Sequence, residues 1–328
     1  MTDAVAPSAL APETEVSRSA TVPAWQVLVT LIRREFWEHR QLWRAPLITG
    51  GLMIIATAFA HFGSNPYGPL PVLGPGRSTA DAHAVGVMIG SARQIGASAP
   101  LYLAALVTLF FYLLSSLYDE RKDRSILFWK SLPVSDTVTV LSKLAVALVI
   151  VPLGVFVAAG VADVLERWIW DIRYSMGLVR GPEFFWDTVA WLKVEAATLI
   201  VLAAAVLWYA PIATYLLVVS AWSRRNAFLW AVLPPVILSV IERVAFGTRY
   251  ITDFLLYRLG GIWFDLVSSF HINGTGSSPF WKQSTFPSVF DLISFRDLFM
   301  NVDLWLGLIV AAAFVYGAIR MRHYRDDT

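Results

Sequence analysis

Runs of predominantly apolar residues, each long enough to cross a lipid bilayer, recur along this chain and constrain its fold more than any other feature. A membrane-spanning helix needs about 20 such residues, because each residue advances the helix by roughly 1.5 Å. The chain is 57% hydrophobic and 15% charged, whereas a soluble domain is about 25% charged. The pattern predicts an all-α integral membrane protein with six transmembrane helices, near residues 46–62, 101–118, 137–165, 188–222, 227–246 and 304–319.

The segments outside these spans divide the chain further. Residues 1–23 lack the basic start and short apolar core of a signal peptide and are predicted to form a flexible cytoplasmic tail. Residues 24–44 combine an apolar stripe with basic residues, which predicts an amphipathic interfacial helix. Residues 45–328 form the six-span transmembrane domain, with a loop over 61–100 and a large external loop over 247–302. The external loop is predicted to contain short interfacial or re-entrant helices before the sixth span.

Residues 119–136, here called the connector, join the second and third spans. The connector opens with consecutive ionisable residues and then turns apolar before Pro133, which stops a helix, and Ser135, a favourable N-cap for the next span. Its high Lys and Arg content predicts a cytoplasmic location. The opening charges are Asp119, Glu120, Arg121, Lys122, Asp123 and Arg124.

The middle of the connector, SILFWK at residues 125–130, is unusually apolar for a loop. A short amphipathic helix on the cytoplasmic face fits this pattern, and composition leaves two roles open. The helix rests on lipid headgroups with Trp129 as its anchor, or it docks onto a cytoplasmic partner.

The string LYDERKDRSILFWKSLPVSD, at residues 117–136, resembles the cytoplasmic coupling region of type-2 ATP-binding cassette (ABC) exporter permeases. The resemblance extends to the N-terminal amphipathic helix, the six spans, the long loop before the sixth span and the basic C-terminus. It implies a separate ATPase subunit that docks on the connector, and a second permease copy or homologue. The docking residues that it implies are Arg121, Lys122, Asp123, Arg124, Ser125, Ile126, Leu127, Phe128, Trp129 and Lys130.

The distribution of basic residues predicts the orientation in the membrane. Short basic segments at Arg44, 121–130, 224–225 and 320–325 all fall on one side of a six-span topology. Both termini are then predicted to be cytoplasmic, and the resemblance implies a multi-pass protein of the bacterial inner membrane.

Motifs for chemistry are absent from the sequence. No phosphate-binding G-x-x-x-x-G-K-[ST] loop occurs, so ATP and Mg²⁺ are expected on the partner subunit and no cofactor on this chain. The chain has no cysteine, and its five histidines have no metal-ligand spacing. An enzymatic role and nucleic-acid binding are therefore not predicted.

Isolated polar residues near or within the spans have modest predicted roles. Lys143 is expected to reach the cytoplasmic surface with its ammonium group. Glu120 is expected to lie on a solvated, self-neutralising charged face, and Glu242 to act as a cap or at the interface. The pair Gly260–Gly261 is expected to interrupt a helix in the external loop.

These observations lead to one preferred function and two alternatives. The preferred function is the permease subunit of an ATP-driven exporter of hydrophobic or amphipathic substrates, with Phe110, Phe111 and Tyr112 as candidate pathway residues. An ATPase-independent secondary transporter or channel is the main alternative, and an integral-membrane enzyme acting on lipid is the other. Neither the substrate nor the choice between a homodimer and a heterodimer follows from the residues.

Overall fold

The computed structural model describes residues 24–59, 79–123, 135–177, 188–268 and 295–324, and within these ranges the regular secondary structure is helical, without strands. Six helical segments are long and apolar enough to cross a membrane. This confirms the prediction of an all-α, multi-pass membrane protein. The candidate spans are Gln41–Phe59, Gln94–Lys122, Asp136–Arg173, Thr188–Trp222, Ala227–Phe246 and Val302–Tyr324.

The helices of the described residues are numbered here in chain order. The third span is composed of α5 and α6, which are joined by the π-helical segment Val146–Ile150. The helices are α1 (Ala24–Glu38), α2 (Gln41–Phe59), α3 (Thr79–Ser116), α4 (Tyr118–Lys122), α5 (Asp136–Ala145), α6 (Val151–Ser175), α7 (Thr188–Trp222), α8 (Ala227–Phe246), α9 (Tyr250–Ser268), α10 (Phe295–Met300) and α11 (Val302–Tyr324).

Helix α7 is the central helix of the bundle and packs against α3 and α11. Small buried residues, among them Ala204, Ala210 and Ala213, line its contact faces. Small side chains let helix backbones approach closely in a membrane, where van der Waals packing replaces the hydrophobic effect as the attraction between helices. The main core therefore forms around α7, and α8 remains largely exposed on the outside of the bundle.

Two predicted boundaries differ from the structure. The helix predicted over 24–44 ends at Glu38, and α2 begins at Gln41 after a short break. Residues 79–100, predicted as loop, belong to α3, which continues through Pro100. Gly, Pro and Ser indicated a loop there, but these residues are tolerated in membrane helices whose neighbours satisfy the backbone.

The segment predicted to be external contains a continuous helix, α9, rather than one broken at Gly260–Gly261. A Cβ atom on Gly261 would lie 2.8 Å from the Tyr257 ring and 3.0 Å from the Trp208 ring. The glycine therefore provides room for aromatic packing and does not interrupt the helix. Glu242 caps α9, as predicted: its carboxylate accepts hydrogen bonds from the backbone N–H groups of Tyr250 and Ile251, both at 2.7 Å.

Arg258 of α9 occupies a slot on α11 opposite Gly307. Its guanidinium lies 4.5 Å from the centre of the Trp208 ring and donates a hydrogen bond to the Asp303 carbonyl at 3.1 Å. A Cβ atom on Gly307 would overlap the Arg258 guanidinium. Glycine at this position therefore leaves room for the Arg258 guanidinium beside α11.

We expect Gly307→Ala to destabilise the protein by about 1–3 kcal/mol, because the added methyl group must displace the buried guanidinium. Thermal unfolding in lipid nanodiscs would measure this. Gly317→Ala on the same helix is the matched control, since a Cβ there would meet Val218 at an ordinary van der Waals distance of 3.9 Å. Equal melting temperatures for the two variants would contradict the assigned role of Gly307.

Candidate functional site: a buried ion cluster at the base of the connector

Five charged side chains from four helices meet where the connector enters the bundle. We call this group the ion cluster. Its members are Glu35 of α1, Glu120 of α4, Asp136 and Lys143 of α5, and Arg322 of α11.

Local structure places the connector's two ends beside each other. The backbone N–H groups of Leu117 and Tyr118 donate to Ser220 Oγ of α7, at 3.1 and 3.0 Å, where α3 gives way to α4. At the other end Ser135 caps α5, as predicted, by accepting a hydrogen bond from the Val138 backbone N–H at 3.3 Å. Asp136 is thereby in the first turn of α5, and Lys143 lies two turns further along the same face.

Lys143 is at the centre of the cluster. Its Nζ lies 2.7 Å from Glu35 Oε1 and 3.0 Å from Glu120 Oε1, and the side chain is completely buried. The prediction that Lys143 extends to the surface is therefore wrong. The ammonium group pairs with two carboxylates inside the protein, which is an alternative to solvation in water.

Arg322 holds both ends of the connector. Its Nη1 lies 2.6 Å from Glu120 Oε2, and its Nε lies 2.9 Å from Asp136 Oδ1. Glu120 is only 6% exposed, so the prediction that it lies on a solvated face is also wrong. Charge-assisted hydrogen bonds of this kind are short and directional, and they fix the connector's ends to the last helix.

Three further residues surround the cluster. The Tyr112 hydroxyl donates to Glu35 Oε2 at 3.0 Å, and the Arg34 guanidinium lies 3.9 Å from Glu120. His39, at the break between α1 and α2, packs edge-on against the Tyr112 ring at 4.9 Å. Burial lowers the pKa of His39, although nearby Glu35 opposes this effect. We therefore take the imidazole to be neutral at pH 7.

Each carboxylate of the cluster lies close to a cation. Glu35, Glu120 and Asp136 are within 3.0 Å of Lys143 or Arg322. Arg34 is 3.9 Å from Glu120 and forms its shorter ion pair, at 2.6 Å, with Glu38. Because every carboxylate already faces a cation, the cluster is poorly suited to metal binding, and no group of potential metal ligands occurs among the described residues. The cluster instead links α1, α4, α5 and α11, and we call this linkage the joint. Removing one partner of a buried ion pair lowers the free energy of unfolding by about 3–5 kcal/mol.

The residues implied to dock an ATPase fall partly within the described chain. Arg121 Nη2 donates to the Ser220 and Ser223 carbonyls at 2.7 and 2.8 Å, so it caps the C-terminal end of α7. Lys122 and Asp123 are exposed. Docking remains a prediction for all of them. The rest lie outside the described residues: Arg124, Ser125, Ile126, Leu127, Phe128, Trp129 and Lys130.

The candidate pathway residues have three different environments. Phe110 packs edge-on against Phe228 of α8, with ring centroids 6.2 Å apart. Phe111 is 51% exposed, and Tyr112 is fully buried beside Glu35. These residues do not line a common surface within one chain, and their role in a pathway remains a prediction.

Sequence reasoning missed the pairing of these charges, although one signal was available. Glu35 follows Leu31 by four residues and therefore lies on the same face of α1; both side chains are buried. A carboxylate on the apolar stripe of an amphipathic helix indicates a buried cationic partner. No comparable pattern identifies the partner, since Lys143 is 108 residues away.

Comparison of the chain with protein-family models, with curated proteins and with solved structures found no match.

Proposed function

We propose that this chain is the membrane-spanning permease subunit of an ATP-driven ABC exporter that moves hydrophobic or amphipathic substrates. A separate ATPase subunit, which carries ATP and Mg²⁺, docks on the connector, and a second permease copy or homologue completes the pathway. The protein resides in the bacterial inner membrane with both termini in the cytoplasm, and α1 lies along the membrane interface.

The observation that carries this proposal is the bridge that Arg322 makes between Glu120 and Asp136. These two carboxylates lie at the two ends of the connector, and Lys143 links Glu120 onward to Glu35 of α1. A displacement of the connector would therefore act on α1, α5 and α11 together. A connector that is moved by an ATPase needs such a linkage to the helices. A connector that only rests on lipid headgroups does not.

The mechanism follows from this joint. ATP binding closes the ATPase dimer and moves the docked connector, and the ion cluster passes the movement to the helices as a rigid-body displacement. The energy enters as a difference in connector–ATPase contacts between the two states. Arg121 stabilises the end of α7, so docking in this mechanism depends on the apolar residues at 126–129 and on exposed charges such as Lys122.

The decisive experiment tests coupling. We expect Phe128→Ala with Trp129→Ala to uncouple ATP hydrolysis from transport, because the variant loses its apolar contact with the ATPase while the ion cluster stays intact. The readouts are co-purification of the ATPase and ATP-dependent transport in proteoliposomes. Trp168→Ala with Phe246→Ala is the matched control, since it removes the same residue types from exposed positions in α6 and α8. Unchanged docking and transport in the connector variant would refute the proposal.

Orientation is tested separately. Because the chain has no cysteine, a single Trp129→Cys change allows labelling by a membrane-impermeant maleimide. Labelling is expected in inside-out vesicles and not in intact spheroplasts. The opposite result would place the connector outside the cell, where no ATPase could reach it.

The alternative function, an ion-coupled carrier without an ATPase, is favoured by one observation. Glu195 lies within the fourth candidate span and accepts a hydrogen bond from Gln94 of the second at 2.9 Å, and intramembrane carboxyl groups often mark ion paths. Transport driven by an ion gradient in proteoliposomes that contain this chain alone would support the alternative and exclude the motor.

A further inference from the structure

Helix α1 and the first turn of α2 expose tryptophan and arginine side chains on the side that faces away from the bundle. We call these six residues the outer face: Trp25, Arg33, Trp37, Arg40, Trp43 and Arg44. Their indole groups are 43% to 69% exposed. The opposite side of α1, which carries Leu31 and Glu35, is buried in the bundle. The outer face is therefore the part of α1 that is left for a partner outside this chain.

The outer face carries positive charge that no acidic side chain offsets. The ion pairs of the described residues include none of its three arginines. Glu38 is the exposed carboxylate of α1, and it pairs with Arg34 at 2.6 Å. The outer face therefore presents three cations to its surroundings and would attract a partner of negative charge.

Two of these arginines lie over tryptophan rings. The Arg33 guanidinium is 5.3 Å from the centre of the Trp37 ring, and the Arg44 guanidinium is 5.4 Å from the centre of the Trp43 ring. A cation–π contact leaves the N–H groups at the edge of the guanidinium free to donate to an oxyanion. Each pair thus combines a phosphate-binding group with an amphipathic ring, a residue type enriched where headgroups meet acyl chains.

The outer face continues directly into a candidate membrane span. Only residues 39 and 40 separate α1 from α2. Arg44 shares one side of α2 with Ile48, Leu52 and Ile55, which are exposed apolar side chains of that span. Ile48 lies four residues beyond Arg44, about 6 Å along the helix. Arg44 is therefore at the end of an apolar stripe, where hydrocarbon gives way to headgroups.

We propose that the outer face binds the headgroups of anionic phospholipids, with its arginines on the phosphates and its tryptophans between headgroups and acyl chains. Guanidinium groups suit this role because they donate paired hydrogen bonds to phosphate oxygens. A lipid surface fits better than an acidic protein, because the same surface continues into the exposed apolar side of α2. The inference rests on the proposed function only in taking α1 to lie along the membrane interface.

The test measures which lipids surround the outer face, and it uses the full chain alone in phosphatidylcholine nanodiscs. Because the chain has no cysteine, Val29→Cys places an environment-sensitive NBD fluorophore at an exposed position between Trp25 and Arg33. The quencher is a nitroxide-labelled acyl chain, carried either by phosphatidylglycerol or by phosphatidylcholine at the same mole fraction. We expect phosphatidylglycerol to associate at least about fivefold more strongly, the effect of about one basic residue at an anionic surface.

A charge variant assigns this selectivity to the outer face. Arg33→Gln, Arg40→Gln and Arg44→Gln together are expected to make quenching by the two lipids equal. All three side chains are exposed, so the variant should keep the melting temperature of the wild type. The selectivity of the wild type should also fall in 1 M salt, where the Debye length is about 3 Å.

The matched control removes the same amount of charge from exposed positions elsewhere. Lys193 lies in the second turn of α7, and Arg243 and Arg249 lie near the end of α8. These positions are at the ends of the two helices that are remote from the turn at 223–226. Lys193→Gln, Arg243→Gln and Arg249→Gln together are expected to leave the selectivity at Val29→Cys unchanged.

Equal quenching by the two lipids in the unsubstituted chain would overturn the inference, as would full selectivity in the charge variant. The same holds if the control loses selectivity, since overall charge would then attract the lipid. Absence of quenching by either lipid would show that the outer face meets water or another protein. The exporter proposal is tested apart from this, by co-purification and coupling, and failure to bind an ATPase would not affect the lipid measurement.

Discussion

Replacing Lys143 by methionine is expected to lower the free energy of unfolding by about 3–5 kcal/mol, the cost of removing one partner from a buried ion pair. Methionine retains much of the lysine volume, so the loss measures charge rather than packing. Glu35 and Glu120 would then face each other across the vacated position, 1% and 6% exposed, with no ammonium group between them. Reversible unfolding by SDS titration in mixed micelles would measure the change.

A compensating variant separates this explanation from general damage. Adding Glu35→Gln to Lys143→Met removes one negative charge with the positive one, and the Tyr112 hydroxyl can still donate to the amide oxygen. We expect the double variant to regain most of the lost stability. Lys193→Met is the charge control, because Lys193 is exposed on α7. If Lys143→Met were as stable as Lys193→Met, the cluster would not hold the bundle together.

Replacing Arg322 by glutamine is expected to release both ends of the connector. The free energy of unfolding should again fall by about 3–5 kcal/mol, because a buried ion pair loses one partner. Glu120 would keep Lys143, but Asp136 would lose its closest ion partner, at 2.9 Å. Hydrogen exchange should therefore increase in α4 and in the first turn of α5. Under the proposed function, transport should fall more than ATPase docking. The ATPase still binds the connector, but the connector is no longer fixed to α11 and transmits less movement to the helices.

Arg320→Gln is the matched control for Arg322. Arg320 lies on the same helix, has the same charge and is exposed, with its guanidinium stacked on the Tyr316 and Tyr324 rings. We expect this control to change stability by less than about 0.5 kcal/mol, as is usual for surface substitutions. Faster exchange at α4 and α5 in both variants would show that the general charge of the C-terminal helix matters, and would contradict a specific bridge.

Some helix boundaries were predictable because the signals are local. The prediction of helices over 188–222 and 227–246 matches α7 and α8, since the turn at 223–226 and Gly247 interrupt long apolar runs. Gly247 adopts a φ of 67°, a left-handed conformation that favours glycine at a helix end. The start of α3 was missed because residues typical of loops occur there inside a membrane helix.

The candidate site was only partly predictable for a different reason. The sequence identified the connector and its capping residue Ser135, both of which depend on neighbours within a few positions. It placed Lys143 at the surface and Glu120 in solvent, because each residue was judged against its own helix alone. The partners that bury them come from α1 and α11, and Arg322 is 202 residues from Glu120.

The sequence by itself determined that this protein is a helical membrane protein with six spans, because the cost of placing backbone and charge in hydrocarbon depends on composition over a single helix. Only the tertiary structure decided which charges meet. A buried charge is tolerated when an opposite charge lies next to it. Local sequence patterns do not predict which helices from distant parts of the chain come into contact. The ion cluster at the base of the connector is a product of that packing.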